Sequence, residues 1–125
     1  MSPWLAVAAG GAAGAVLRFW GGQVVHYALG HGFPWGTLAV NVTGSLLMGL
    51  GYVWLHEVGN LDPAWRLALL TGLLGSFTTF STFSLESLRL LETGQPGAAA
   101  ASVLANVVLC LGAAGIGLWL GRAFS

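Results

Sequence analysis

Four long apolar segments, separated by short turn-rich stretches, limit this chain to a narrow set of folds. They cover residues about 4–25, 35–56, 64–88 and 97–122. The hydrocarbon core of a bilayer is about 30 Å thick and is crossed by roughly 20 apolar residues in a helix. Composition agrees, because 56% of the 125 residues are hydrophobic, 6% are charged and the mean hydropathy is +0.81. The sequence therefore predicts an all-α integral membrane protein with four transmembrane helices in a single domain, residues 1–125.

The segments between the four spans are short and leave little room for chemistry outside a membrane. Turn-forming residues cluster in HYALGHGFP (26–34), HEVGNLDP (56–63) and ETGQPG (92–97). The formal net charge is zero, so the sequence offers no basic patch for a nucleic acid. No catalytic triad, metal-ligand cluster or phosphate-binding loop can be recognised in it. We expect neither an enzyme nor a nucleic-acid partner, and we expect the function to reside within the lipid bilayer.

Positive charges in the short loops usually set the orientation of a membrane protein. This chain has no Lys, and its four Arg residues are Arg18, Arg66, Arg89 and Arg122. If the spans alternate in direction, Arg66 and Arg122 fall on one side of the membrane, and Arg89 with Arg18 lies towards the other. Two interpretations remain open. Either the small bias selects one orientation, or the chain inserts in both orientations and forms an antiparallel dimer.

Glycine is abundant within the predicted spans. The chain contains twenty glycines, and the pairs Gly10/Gly14 and Gly117/Gly121 have the spacing at which small residues let helix backbones approach closely. This spacing predicts a tightly packed and oligomeric bundle. A general enrichment of glycine in membrane helices explains part of the density but not the repeated spacing.

Two of the spans carry polar side chains at four-residue intervals, which place them on one helix face. The stripes are Thr37, Asn41 and Ser45 in the second span, and Ser102, Asn106 and Cys110 in the fourth. Polar groups in a membrane face the protein interior, a water-filled cavity or each other. Two alternatives remain open, because the stripes could line an ion path or could join the helices through hydrogen bonds.

Arg18 lies well inside the first predicted span. If that helix begins near Pro3, Arg18 is roughly 20 Å along it. Its long side chain could reach back to the membrane surface, or it could place a fixed positive charge in a vestibule that concentrates anions.

Residues 75–84 read GSFTTFSTFS and combine three phenylalanines with six hydroxyl side chains. Hydroxyl groups can bond a local backbone and support an interrupted helix, and the nearby Gly72 and Gly75 lower the cost of unwinding. We predict that the third helix is broken near residues 75–83. Breaks at this depth commonly build ion sites, and the edge of a phenylalanine ring carries partial positive charge. The segment therefore favours an anion path lined by rings and supported by hydroxyls.

These motifs resemble those of the CrcB/Fluc fluoride channels along the whole chain. The segments that carry the resemblance are GGAAGAVLR (10–18), GTLAVNVTGSLLMG (36–49) and GLLGSFTTFSTFS (72–84). The resemblance implies a fluoride-selective channel that lowers cytoplasmic fluoride by passive export down its electrochemical gradient. It also implies an antiparallel, dual-topology homodimer with two pores, located in the inner cell membrane of a prokaryote.

The resemblance assigns roles to individual residues. The residues that match the fluoride pore of the family, with the hydroxyls that we add to it, are Asn41, Phe80, Phe83, Ser102, Asn106, Thr79 and Ser81. Arg18 matches the vestibule arginine. The backbone carbonyls of Gly75 and Thr78 match those that hold a structural sodium ion on the two-fold axis of the dimer, and Phe77 is expected to pack against neighbouring helices.

Two other classes of membrane protein compete with the channel. A proton-coupled exporter of the small multidrug-resistance type is also short and four-spanning, but it needs a carboxylate in the membrane to exchange protons, and the first span contains none. A structural subunit without transport activity would explain the glycines, but not the polar stripes together with the phenylalanine-hydroxyl segment.

Overall fold

The computed structural model describes residues 2–125, which are mainly helical. The α-helices are α1 (Pro3–Leu29), α2 (Trp35–Gly51), α3 (Pro63–Arg66), α4 (Gly75–Phe77), α5 (Phe80–Glu92) and α6 (Pro96–Ala123). A π-helical segment, Tyr52–Glu57, continues α2, and a second one, Leu67–Leu74, joins α3 to α4. Together they make four helices that are long and apolar enough to cross a membrane, namely Pro3–Leu29, Trp35–Glu57, Pro63–Glu92 and Pro96–Ala123, hereafter the first to fourth spans. The prediction of an all-helical chain with four such helices is confirmed.

The helix ends follow from local sequence signals. The hydroxyl of Ser2 accepts a hydrogen bond from the Leu5 amide at 3.1 Å and caps α1. Asp62 caps the third span in the same way, with Pro63 in the first helical turn. Gly30 and Gly94 end α1 and the third span with φ of 82° and 77°, a left-handed backbone that glycine adopts without steric cost.

Side-chain contacts identify two ends of the bundle. We call the first of these the His56 end. There Arg122 pairs with Glu57 at 2.8 Å, and Arg66 lies 3.4 Å from the His56 ring. We call the opposite end the His26 end. There His26 and Arg89 border the same cavity. Consecutive spans therefore run in opposite directions, as the short connections require.

Glycines allow the closest contacts between spans. A side chain at Gly10 or Gly14 would collide with the backbone carbonyls of Ala68 and Leu73 in the third span. Gly49 and Gly117 face each other in the same manner across the second and fourth spans. The regular glycine spacing is thus used for packing within one chain and gives no separate support for an oligomer.

Candidate functional site

Two residues of the third span, Thr78 and Thr79, have an extended backbone between α4 and α5. Their φ/ψ values are −89°/157° and −147°/115°. The Thr78 hydroxyl donates a hydrogen bond to the Leu74 carbonyl at 3.1 Å, at the end of α4. The Thr79 hydroxyl accepts one from the Thr82 amide at 3.3 Å and caps α5. The Thr79 hydroxyl therefore satisfies the Thr82 amide, which a continuous helix would have paired with a backbone carbonyl.

Asn41 in α2 forms hydrogen bonds with both the backbone amide and the backbone carbonyl of Thr79. Its Oδ1 accepts a hydrogen bond from the Thr79 amide at 2.7 Å, and its Nδ2 donates to the Thr79 carbonyl at 3.1 Å. The same Nδ2 donates to Oδ1 of Asn106 in α6 at 3.0 Å. Both hydrogens of the Asn41 amide are therefore engaged, so its role here is to hold the extended residue in position.

The two polar stripes meet at the interface between α2 and α6. The contact is the hydrogen bond between Asn41 and Asn106, and both side chains are buried. Asn106 Nδ2 donates to the Ser102 carbonyl at 2.9 Å. Since an amide nitrogen carries two hydrogens, Asn106 keeps one donor beyond the hydrogen bonds seen within residues 2–125. The stripes thus join the two helices and also retain donor capacity.

A cavity of about 320 Å³ opens beside this network. Its walls come from the second, third and fourth spans and are formed by Asn41, Ser45, Thr78, Thr79, Phe80, Phe83, Asn106, Val107, Cys110 and Leu111. Five of the seven residues predicted for the fluoride pore lie here, namely Asn41, Thr79, Phe80, Phe83 and Asn106. Ser45 and Cys110, which belong to the two polar stripes seen in the sequence, lie in the same wall.

Ser102 and Ser81 lie outside this cavity. Ser102 is 1% exposed, and its hydroxyl lies 2.9 Å from that of Ser87 in α5. Ser81 is exposed on α5. The four-residue spacing placed Ser102 on the same face of α6 as Asn106, but spacing could not show that Ser87 of α5 would cover its hydroxyl.

The phenylalanines of the third span differ in their surroundings. The rings of Phe80 and Phe83 meet edge to face, with centroids 5.4 Å apart. Phe83 is 7% exposed and Phe80 is 76% exposed, so Phe80 extends out of the single chain. Phe77 packs against α2, where its Cδ2 lies 3.1 Å from the position that a Cβ on Gly44 would occupy.

A second cavity, of about 260 Å³, lies on the other side of Thr79 and opens at the His26 end. Its polar lining comprises Arg18, Gln23, His26, Thr37, Thr79, Thr82 and Glu86. The Arg18 side chain turns towards the third span, and its Nε donates a hydrogen bond to the Ser76 carbonyl at 3.0 Å. Thr79 borders both cavities. We call the second cavity the vestibule.

Four polar residues of the vestibule belong neither to the predicted site nor to the two polar stripes, namely Gln23, His26, Thr82 and Glu86. One carboxylate oxygen of Glu86, Oε1, is buried and has no hydrogen-bond partner within residues 2–125. A carboxyl three residues after Phe83 shares a helix face with the candidate site, and this spacing is the signal that could have identified it.

Comparisons with known proteins agree with the resemblance seen in the sequence. The family described as "CrcB-like protein, Camphor Resistance (CrcB)" matches residues 5–118. Proteins named fluoride-specific ion channel FluC from Methylococcus capsulatus and Rhodospirillum rubrum are 50% and 43% identical over 117 and 121 residues. The alignments cover 94% and 95% of this chain. A protein of the same name from Shewanella amazonensis is 48% identical over 111 residues, or 89% of each chain. The chain spans about half the length, 51%, of the Methylococcus relative and 91% of the Rhodospirillum one.

Proposed function

The chain belongs to the CrcB-like family, and we propose that it is a fluoride-specific ion channel that lowers cytoplasmic fluoride by passive export. One structural observation carries the proposal. The extended backbone at Thr79, held by Asn41 on both sides, separates two cavities within the four-span bundle. Fluoride conduction, the function in the names of the Methylococcus and Rhodospirillum relatives, is the one that this arrangement supports best.

The third span acts as a broken helix, and the break forms part of the ion path. The extended pair at Thr78 and Thr79 supports this assignment, because irregular backbone at membrane depth is tolerated where protein or a water-filled cavity covers it. Anions enter the vestibule, where Arg18 supplies a positive charge, and pass Thr79 to reach the first cavity.

In the first cavity, weak donors replace a fixed positive charge. The free hydrogen of the Asn106 amide and the ring edges of Phe80 and Phe83 face a fluoride ion there. Weak partners hold the ion without trapping it, which conduction requires. Ser102 acts through its hydrogen-bonded position behind Asn106 and has no exposed surface for the ion.

The functional unit is an antiparallel homodimer, and a second copy covers part of the site. Phe80 is largely exposed in the single chain although it borders the cavity, so a partner surface completes that wall. The near-even distribution of arginines between the two ends supports insertion in both orientations.

The structural sodium ion on the two-fold axis fits the carbonyl groups that the resemblance assigns to it. Gly75 is exposed at the start of α4, and Thr78 has an extended backbone that turns its carbonyl away from a helical partner. Neither carbonyl accepts a side-chain or interhelical hydrogen bond within residues 2–125, and hard cations prefer such oxygen ligands. Sodium bound by both copies would fix the break in the third span.

The protein is a multi-pass membrane protein, and its place is the inner membrane of a bacterial cell, where it has access to cytoplasmic fluoride. A proton-coupled exporter of the small multidrug-resistance type is not favoured, because the first span has no carboxylate. Glu86, in the third span, borders the vestibule near its opening rather than the first cavity.

Flux from liposomes tests the proposal. Purified protein is reconstituted with internal fluoride or chloride, and efflux is measured with ion-specific electrodes after valinomycin releases the counter-ion potassium. We expect fluoride efflux that depends on valinomycin, little chloride efflux and no requirement for a pH gradient. Protein-free liposomes correct for leakage of neutral HF. Efflux that occurs only with a pH gradient would contradict a passive channel.

A further inference from the structure

Two histidines stack at the His26 end of the bundle. The rings of His26, in the last turn of α1, and His31, just after Gly30, have centroids 4.5 Å apart and are nearly parallel, at 9°. Nδ1 of His26 lies 3.1 Å from the Gly30 carbonyl oxygen, and this hydrogen bond fixes the ring. When Nδ1 donates this bond, Nε2 of the neutral ring is free to accept a proton.

His26 connects the vestibule to its opening. Its ring borders the vestibule, together with Arg18 and Thr79, and also a neighbouring cavity of about 310 Å³ that contains His31 and Arg89. An anion that enters the vestibule through this neighbouring cavity therefore passes the histidine pair before it reaches Arg18.

The charged groups around the pair are few. Arg18 and the phenol of Tyr27 border the cavities of His26 from α1, and Glu86 and Arg89 border them from α5. Two guanidinium groups and one carboxylate give a formal charge of +1 while both imidazoles are neutral. One proton bound by the pair raises this formal charge to +2.

We propose that the His26–His31 pair is a proton-dependent anion attractor at the vestibule mouth, so that fluoride flux rises as the medium becomes acidic. Histidine is the side chain whose charge changes between about pH 5 and 8. A positive charge at the mouth of a cleft raises the local concentration of anions. The inference rests on the proposed fluoride-channel function. Protonation of the pair would increase fluoride export under acidic conditions, in which more fluoride enters a cell as neutral HF.

Fluoride current across planar bilayers tests the inference, because neutral HF carries no current. The ratio of current at pH 5.5 to current at pH 7.5 is measured for each variant, at subsaturating fluoride and low ionic strength. We expect a ratio of about two to three for the unmodified protein, falling towards one at high salt, where the charge is screened.

Three variants make the test specific. The double variant His26→Gln/His31→Gln should give a ratio near one. His31→Lys, at an exposed position, supplies a fixed charge and should raise the current at pH 7.5 and flatten the profile. His56→Gln is the matched control, because His56 lies at the opposite end beside Arg66, and it should retain the full ratio.

Each outcome decides a separate point. A pH-independent current in the unmodified protein would overturn the inference and leave the channel function intact. If the double variant does not assemble, the His31→Lys variant decides, and an unchanged pH profile there would also overturn the inference. A ratio lost only in His56→Gln would assign the effect to the other end. Absence of fluoride current at both pH values would contradict the channel function itself, and with it the inference.

Discussion

At the scale of single residues, Asn41 shows how one side chain can fix a local backbone. Its amide replaces hydrogen bonds that Thr79 would make in a continuous helix, and it also reaches Asn106 on a third element. The four-residue spacing and the family resemblance both pointed to Asn41. Neither could predict that its partner would be a backbone group, because the two residues are 38 positions apart.

Replacing Asn41 with alanine should destabilise the protein and reduce fluoride flux together. The change leaves the Thr79 amide and the Asn106 amide oxygen without their partner, which costs about 1–3 kcal/mol for each buried polar group. Thermal unfolding in detergent and fluoride flux from liposomes measure the two effects. Thr43→Ala, on an exposed position of the same helix, is the control. Normal stability and normal flux in Asn41→Ala would contradict the assigned role.

Replacing Phe80 or Phe83 with isoleucine should reduce flux while the protein remains assembled. Isoleucine keeps apolar bulk but lacks the ring edge, and such aromatic interactions contribute about 1 kcal/mol, which corresponds to a several-fold change in flux. Flux is compared for equal amounts of protein that elutes normally in gel filtration. Phe77→Ile is the control, because that ring packs against α2 outside the first cavity. If both test variants keep wild-type flux and Phe77→Ile loses it, the rings assigned to the ion path are the wrong ones.

At the scale of secondary-structure elements, hydropathy and turn residues were sufficient to predict four membrane-length helices, since both depend on local sequence. The third span extends further than predicted, to Glu92, because α5 continues past its apolar part as an amphipathic helix. The π-helical segment Leu67–Leu74 was not predicted. It packs against Gly10 and Gly14 of α1, and such a close fit between distant segments leaves no local sequence signal.

Replacing Gly117 with alanine should lower stability through the contact between the second and fourth spans. An added Cβ would lie 3.0 Å from the Leu50 nitrogen and 3.1 Å from the Gly49 Cα, and overpacking of this kind costs about 1–3 kcal/mol. Gly115→Ala is the matched control on the same helix, where an added Cβ meets no atom within 4 Å. The melting temperature in detergent should fall for the first variant only. Equal melting temperatures would show that the two spans can separate without cost.

At the scale of the whole molecule, the distribution of charge bears on orientation. Arg66 and Arg122 lie at the His56 end, and Arg89 lies at the His26 end with Arg18 turned inward to Ser76. The structure therefore brings no large excess of arginine to either end of the bundle. The order of the spans was predictable from the short connections. The partner surface proposed to cover Phe80 was not, because it would belong to a second chain.

Insertion in both orientations should be detectable directly. Reporter fusions at the C-terminus should give comparable signals from the two sides of the membrane, because the positive-inside bias is nearly absent. Two or three lysines added to the loop 58–62 should force one orientation and impair fluoride flux when that variant is expressed alone. A parental chain that shows only one orientation would contradict the antiparallel dimer.

Fluoride selectivity is the central claim, and the reversal potential of the current with fluoride on one side of a planar bilayer and chloride on the other tests it most directly. Each tenfold preference for one monovalent ion moves this potential by about 59 mV. We predict a shift of at least about 120 mV in the direction set by fluoride, which corresponds to a preference of about a hundredfold. A reversal potential near zero would show that fluoride and chloride pass equally well, and it would contradict the account.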